Sequence, residues 1–141
     1  MLLELVTGLG AKLDFNLDLA AAGVLPVRIL ITNATTRTYS LDPADIVLVQ
    51  KDGARVHPLP VGDAAQRVAD VAHQKAAPND APPDQAEVTR RLEARLLSTH
   101  SVSANQTASG YLFYPLAQYV KGRVALEDQE TEESEGFVIE F

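Results

Sequence analysis

The chain has 141 residues, of which 46% are hydrophobic and 22% charged, and this length suits one ordinary hydrophobic core, so we expect a single domain over residues 1–141. Its formal net charge of −7 at pH 7 argues against nucleic acid as a partner, because attraction to a phosphate backbone requires a basic surface. The absence of cysteine excludes disulfides, thiolate nucleophiles and zinc–thiolate sites.

Two strands are predicted near the start of the chain. From Lys12 to Leu19 the sequence KLDFNLDL alternates strictly between polar and apolar residues, which is the period of a half-buried strand. The segment AAAG interrupts this pattern. Val24–Asn33 then resumes it with valine and isoleucine on one face, which predicts a second and more deeply buried strand.

A turn-rich segment, ATTRTYSLDPAD, leads into a predicted hairpin. Asp42 and Pro43 supply turn chemistry, and Ile46–Val49 is typical of a short buried strand. Asp52–Gly53 is the strongest hairpin-turn signal in the sequence. The two prolines of HPLP argue against a long central strand after this hairpin.

Helical periodicity replaces the strand pattern in the middle of the chain. A first helix is predicted over residues 63–77, with Asp63 as its cap. After three prolines in PNDAPPD, a second helix is predicted over residues 84–98, where Asp84 and Glu87 have capping-box spacing. The apolar stripes consist of Val68, Val71 and Ala72 in the first helix and of Val88, Leu92 and Leu96 in the second.

Strand patterns return after the helices in SVSANQTASGYLFYPL, GRVALED and GFVIEF. Because only one helical stretch interrupts the strands, most strand connections must be antiparallel hairpins or arches. The predicted fold class is therefore mainly β: an immunoglobulin-like antiparallel β-sandwich with a two-helix insertion at residues 63–98 between mid-chain strands. A small eight-stranded barrel is the alternative.

With its strands in this order, the chain resembles the Ig-like domains of bacterial cell-envelope lipoproteins, most of them uncharacterised. The likeness is carried by VRILITNATTRTYSLDPADIVLVQKDG, by the helical stretch after HPLP and by ASGYLFYP, and it runs from about Leu13 to Phe141. The resemblance implies a scaffold or adaptor in the periplasm or at a membrane surface, tethered by an N-terminal lipidated cysteine.

The sequence departs from that family in having neither a signal peptide nor a cysteine. We therefore expect a periplasmic or cell-envelope location if those parts have been removed from the protein, and a cytoplasmic location otherwise. Membrane attachment is expected only through a lipid anchor, which this chain does not contain.

The titratable residues give no clear metal or catalytic pattern. His57, His73 and His100 lie in three different segments without close ligand spacing, so we expect no metal site and no cofactor. The acidic segment 127–135 could offer carboxylates to calcium, but it lacks EF-hand spacing, and a solvated turn is the favoured interpretation. No nucleophile motif surrounds the serines near His100, so we expect no enzyme activity.

Three arginines of the second predicted helix are candidates for partner binding. Arg90, Arg91 and Arg95 could contact an acidic partner or anionic lipid headgroups. The competing interpretation is a salt-bridged, solvated face formed with Glu87 and Glu93.

The stretch NQTASGYLFYP supplies aromatic candidates. Gly110 permits a close backbone approach, Tyr111 and Phe113 share one face of a strand, and Leu112 and Tyr114 share the other. We expect one face to enter the sandwich core and the other to lie beneath the helical insertion. Tyr111 and Tyr114 are the candidates for partner contact, since a hydroxyl lets one end of the ring stay in water.

The function expected from these features is non-enzymatic: an envelope-associated domain that mediates protein contacts as an adaptor or scaffold. The alternative is a ligand-binding module with a pocket between the helical insertion and the sheet. A small metal-dependent enzyme using His57 or His100 ranks third.

Overall fold

The computed structural model describes the backbone of residues 2–7 and the whole of residues 15–141. The strands in these residues are β1 (Leu2–Thr7), β2 (Val24–Thr32), β3 (Tyr39–Ser40), β4 (Val47–Gln50), β5 (Arg55–Val56), β6 (Ser101–Val102), β7 (Thr107–Pro115), β8 (Tyr119–Asp128) and β9 (Ser134–Glu140). The α-helices that lie wholly within the described residues are α1 (Val61–Lys75) and α2 (Gln85–Glu93), and 3₁₀ turns span Ala20–Ala22 and Pro43–Asp45. The chain is thus mainly β with two helices between β5 and β6.

The first sheet has three antiparallel strands in the order β1-β2-β7. The prediction of a buried strand over Val24–Asn33 is confirmed by β2, which lies at the centre of this sheet. Pro26 lies just beyond the described pairing of β1 with β2, which reaches Thr7 and Val27, so no carbonyl of β1 needs the N–H that proline lacks.

The second sheet has the order β5-β4-β8-β3-β6, and β9 pairs with β8 as well. All of its ladders are antiparallel. The predicted Asp52–Gly53 turn joins β4 to β5, with Gly53 at φ +90° and its N–H donating to the carbonyl of Gln50 at 2.9 Å. That left-handed conformation is the reason why glycine is needed at this turn.

Residues from both sheets share one buried apolar cluster, which we call the inner cluster. It consists of Val27, Ile29, Ile31, Tyr39, Leu41, Ile46, Leu48, Leu97, Val102, Ala108, Leu112, Tyr114, Val124 and Leu126. The alternation of side chains along β2 and β7 places every second residue in this cluster. The two sheets are separate units in the described residues, so the barrel alternative does not describe this fold.

A second buried cluster, the outer cluster, joins the helices to the opposite face of the first sheet. It consists of Phe15, Leu17, Leu19, Val24, Ala64, Ala65, Val68, Ala69, Val88, Leu92 and Phe113. The alanines on α1 allow the helix to approach closely. Of the predicted α1 stripe, Val68 is buried, whereas Val71 and Ala72 are half-buried.

The helix caps were predicted correctly for α2 but not for α1. The Asp84 side chain accepts a hydrogen bond from the Glu87 N–H at 2.8 Å, which is the expected capping contact. In α1 the N-cap is Pro60, and Asp63 lies in the first turn instead. Proline at this position sets the backbone for helix entry without supplying a side-chain acceptor.

The prediction of a strand over Lys12–Leu19 is wrong for Phe15–Leu19, and residues 12–14 lie outside the described part. Burial alternates as expected, but Asn16 has φ +53° and the Asp18 carboxylate accepts from the Ala21 N–H at 3.1 Å. This local hydrogen bond competes with strand pairing, and Phe15, Leu17 and Leu19 pack with helix residues in the outer cluster. Conversely, the sequence pattern did not indicate β1, which pairs along its full length with β2.

In the described part of the chain, neither α1 nor α2 has the length and apolar character of a membrane-spanning helix.

Candidate functional site

The connection from α2 back to the sheets attaches the helices to the edge of β7. The Tyr111 N–H donates to the Arg95 carbonyl at 2.8 Å, and the Leu97 N–H donates to the Tyr111 carbonyl at 2.9 Å. Leu96 and Tyr111 thereby form a parallel bridge. The segment Arg95–Leu97 is thus joined to the first sheet by a single β-bridge.

Gly110 makes this attachment possible. A Cβ atom at this position would lie 2.6 Å from both the Cα and the N of Leu97, closer than side chains and backbone approach in folded proteins. The predicted role of Gly110 in close backbone approach is confirmed, and its partner is the Arg95–Leu97 segment.

A depression of about 390 Å³ opens beside this bridge. It is lined by Arg28, Ala94, Arg95, Leu96, Ser109, Gly110 and Tyr111, and we call it the Arg28–Arg95 depression. Arg28 projects from β2 as the cross-strand partner of Tyr111, while Arg95 is hydrogen-bonded through its backbone to the other side of Tyr111. The β7 tyrosine therefore separates the two arginine backbones.

Both arginines of the depression are exposed. In the described residues, neither Arg28 nor Arg95 forms a salt bridge. Guanidinium groups bind carboxylates and phosphates through paired N–H donors. The lining of the depression includes these two guanidinium groups, which could hold an anion there.

Arg90 and Arg91, the other two predicted partner-binding arginines, are held by the Glu87 carboxylate. Arg90 Nη2 lies 2.6 Å from Glu87 Oε2, and Arg91 Nε lies 3.0 Å from Glu87 Oε1. Hydrogen bonds from Arg90 and then Arg91 lower the pKa of Glu87. Arg91 also donates to the carbonyl of Asn16 at 3.4 Å. Arg90 and Arg91 therefore form the salt bridges of the competing interpretation. Of the three predicted arginines, only Arg95 lines the depression.

The two candidate tyrosines lie on opposite faces of β7, as predicted. Tyr111 is half-buried and packs edge-on against Phe15, with ring centroids 5.0 Å apart. Tyr114 is fully buried in the inner cluster, and its hydroxyl donates to the carbonyl of Ile46 at 2.7 Å. Burial raises the pKa of Tyr114. Tyr114 therefore has no surface to offer a partner, whereas Tyr111 lines the depression.

The three histidines are not brought into one site. His57 Nδ1 lies 3.2 Å from the carbonyl of Ala44, and His73 is exposed in the last turn of α1. His100 lines a separate shallow depression with Asp42 and Asp45. The described residues contain no group of three or more acidic, histidine or cysteine side chains placed to hold a metal ion.

The acidic segment 127–135 contains one structural carboxylate. Asp128 is 4% exposed, and its Oδ2 lies 2.5 Å from Arg37 Nη1. The Glu130 N–H donates to Asp128 Oδ1 at 2.9 Å. The hydrogen bond from Arg37 lowers the pKa of Asp128. The remaining acidic side chains of the segment are exposed, as expected for a solvated turn.

Sequence reasoning did not single out Arg28 or Ser109. The available signal for Arg28 was a charged residue in the middle of an otherwise apolar strand, VLPVRILIT. Such a residue has to reach solvent from a sheet face, which marks an uncovered part of that face.

No family model matches the chain, and comparisons with curated proteins and with solved structures likewise found no match.

Proposed function

We propose that this chain is a non-enzymatic, immunoglobulin-like β-sandwich domain that mediates protein contacts as an adaptor or scaffold. We further propose that the Arg28–Arg95 depression is its contact surface. The observation that carries the proposal is the presence of two exposed arginines, without a carboxylate partner in the described residues, in a chain of net charge −7. Arginine is enriched where protein surfaces recognise partners.

The sandwich assignment is supported by the two antiparallel sheets around the inner cluster. Sandwiches of this kind carry function on attached loops and insertions rather than in the core. Here the insertion between β5 and β6 is anchored to the first sheet through the outer cluster and the Arg95–Leu97 bridge. The proposed contact surface therefore rests on a rigid support.

The alternative of a ligand pocket between the helices and the sheet has less support. Phe113 of β7, Val68 of α1 and Leu92 of α2 belong to one buried cluster, so side chains fill the space that such a ligand would occupy. Pockets for small ligands are concave and lined by apolar side chains. The Arg28–Arg95 depression is open and contains two charged groups instead.

The proposed location at a bacterial cell envelope is supported by the sequence resemblance. Its test is the reading frame upstream of Met1. A signal peptide that ends in a lipidation cysteine is the expected result, and an upstream region without one would remove the envelope from the proposal.

The contact function is tested by site-specific photocrosslinking in cells of the source organism. A photoreactive amino acid replaces Ser109 in the depression or, as a control, the exposed Ala54 in the β4–β5 turn. We expect a discrete protein adduct from position 109 that excess unlabelled protein suppresses. Adducts that are absent at position 109, or equal at both positions, contradict the proposed surface.

A further inference from the structure

One edge of β7 pairs with β2. The opposite edge, which we call the outer edge, is hydrogen-bonded to other segments along only part of its length. The Arg95–Leu97 segment pairs with Tyr111, and the Leu59 N–H donates to the Phe113 carbonyl at 2.7 Å. Because residues two positions apart on a strand direct their backbone groups to the same side, the N–H and C=O of Ser109 face this edge as well. In the described residues, no loop segment donates to or accepts from Ser109.

The open backbone and the arginines are adjacent. Arg95 is the residue with which the covering segment begins its pairing, so the uncovered edge starts beside it. Ser109 itself is exposed and lines the same depression as Arg28 and Arg95. A ligand in this depression therefore meets two cations and an unpaired strand edge together.

This combination distinguishes a peptide from a free anion. An exposed strand edge pairs with an extended peptide through main-chain hydrogen bonds, and guanidinium groups select carboxylates. Free phosphate could accept hydrogen bonds from the arginines and from the Ser109 N–H, but it has no backbone N–H to donate to the Ser109 carbonyl, as an extended peptide does.

Resting on the proposed function, we infer that the partner presents an acidic, extended segment. Its backbone pairs with β7 at Ser109, and one of its aspartate or glutamate carboxylates lies between Arg28 and Arg95. The net charge of −7 opposes acidic ligands elsewhere on the protein, so this local positive site also sets the position at which such a segment binds.

The test uses a fluorescein-labelled hexapeptide of alternating glutamate and valine, in which all glutamates share one face when the peptide is extended. Its counterpart with glutamine in place of glutamate is the peptide control. Binding to the full chain is measured by fluorescence anisotropy at low ionic strength. We expect saturable binding of the glutamate peptide only, and a perturbed amide resonance of Ser109 in a nitrogen–proton correlation spectrum.

Arg28→Gln and Arg95→Gln should each weaken binding about tenfold, because each removes a charge-assisted hydrogen-bond donor group. Arg55→Gln is the matched control, since Arg55 is exposed in β5 and its loss changes the net charge equally. Equal weakening by all three variants would identify nonspecific attraction. That result, a Kd above about 1 mM, or inorganic phosphate competing as strongly as the peptide would each overturn the inference.

Failure of this inference is distinguishable from failure of the proposed function. A position-109 adduct together with no peptide binding would retain the contact surface but reject an acidic segment as its ligand. The absence of both would reject the contact surface itself. Circular dichroism and thermal unfolding of each variant confirm that the exposed substitutions leave the fold intact.

Discussion

Gly110→Ala tests how the helical insertion is attached to the first sheet. The added Cβ would lie 2.6 Å from the N and Cα atoms of Leu97, and these backbone atoms cannot rotate away as a flexible side chain would. Either the Arg95–Leu97 segment separates from β7 at this point, or the backbones of both segments become strained. We expect the Arg95–Leu97 segment to move off β7 and to lose its hydrogen bonds with Tyr111.

The magnitude follows from three contributions. Overpacking of a tight contact costs about 1–3 kcal/mol, and two lost hydrogen bonds cost about 0.5–1.5 kcal/mol each. The backbone of Gly110 does not have positive φ, so alanine recovers about 0.4–1 kcal/mol by restricting the unfolded chain. The free energy of unfolding should therefore fall by about 3 kcal/mol, with a Tm lower by about 10 °C.

Urea denaturation followed by far-UV circular dichroism measures this loss. Gly136→Ala in β9 is the matched control, because a Cβ there meets no atom within 4 Å, and its stability should stay within about 1 kcal/mol of the wild type. The unfolding slope m should be the same in both variants. If Gly110→Ala is as stable as Gly136→Ala, the close approach of Leu97 to β7 is wrong.

Three further substitutions probe the two clusters and the acidic turn. Phe113→Ala should lower the free energy of unfolding in urea by about 3–5 kcal/mol, since this side chain is fully buried; a near-neutral result would contradict its place in the outer cluster. Tyr114→Phe should cost about 1–3 kcal/mol because it leaves the buried Ile46 carbonyl unpaired, and an unchanged urea midpoint would show that another donor takes over. Because Arg37 lowers the pKa of Asp128 from its ordinary value of 3.8, the ionised carboxylate stabilises the fold above that value and the contribution is lost as pH falls through the lowered pKa. Asp128→Asn should therefore be less stable than the wild type at pH 7 and lose less stability between pH 7 and acid, so parallel pH–stability curves would refute this linkage.

Local sequence signals predicted the elements whose contacts are local. The Asp52–Gly53 turn needs only the left-handed conformation that glycine accepts, and the Asp84 cap needs only the N–H three residues later. The faces of β7 from Tyr111 to Tyr114 also followed from alternation, because successive side chains of a strand point to opposite sides of the sheet. These predictions did not depend on which strands pair.

The failed strand prediction shows the limit of such signals. Burial does alternate along Phe15–Leu19. The same pattern also occurs in a non-strand segment such as this one, whose apolar side chains are buried in the outer cluster. Strand geometry requires a partner for the backbone. Here Asp18 binds the Ala21 N–H instead, and no periodicity in the sequence distinguishes the two outcomes.

By itself, the sequence determined that the chain folds as antiparallel strands interrupted by two helices, and that Gly110 marks a close approach, because hydrophobic period and backbone freedom are properties of neighbouring residues. Only the tertiary structure decided which arginines are engaged in salt bridges and which line the depression. Arg90 and Arg91 share Glu87 on one helix face, whereas the pairing of β2 and the Arg95–Leu97 segment with β7 places Arg28 and Arg95 around one depression. Strand order and register bring such distant residues together, and these depend on the packing of the whole chain.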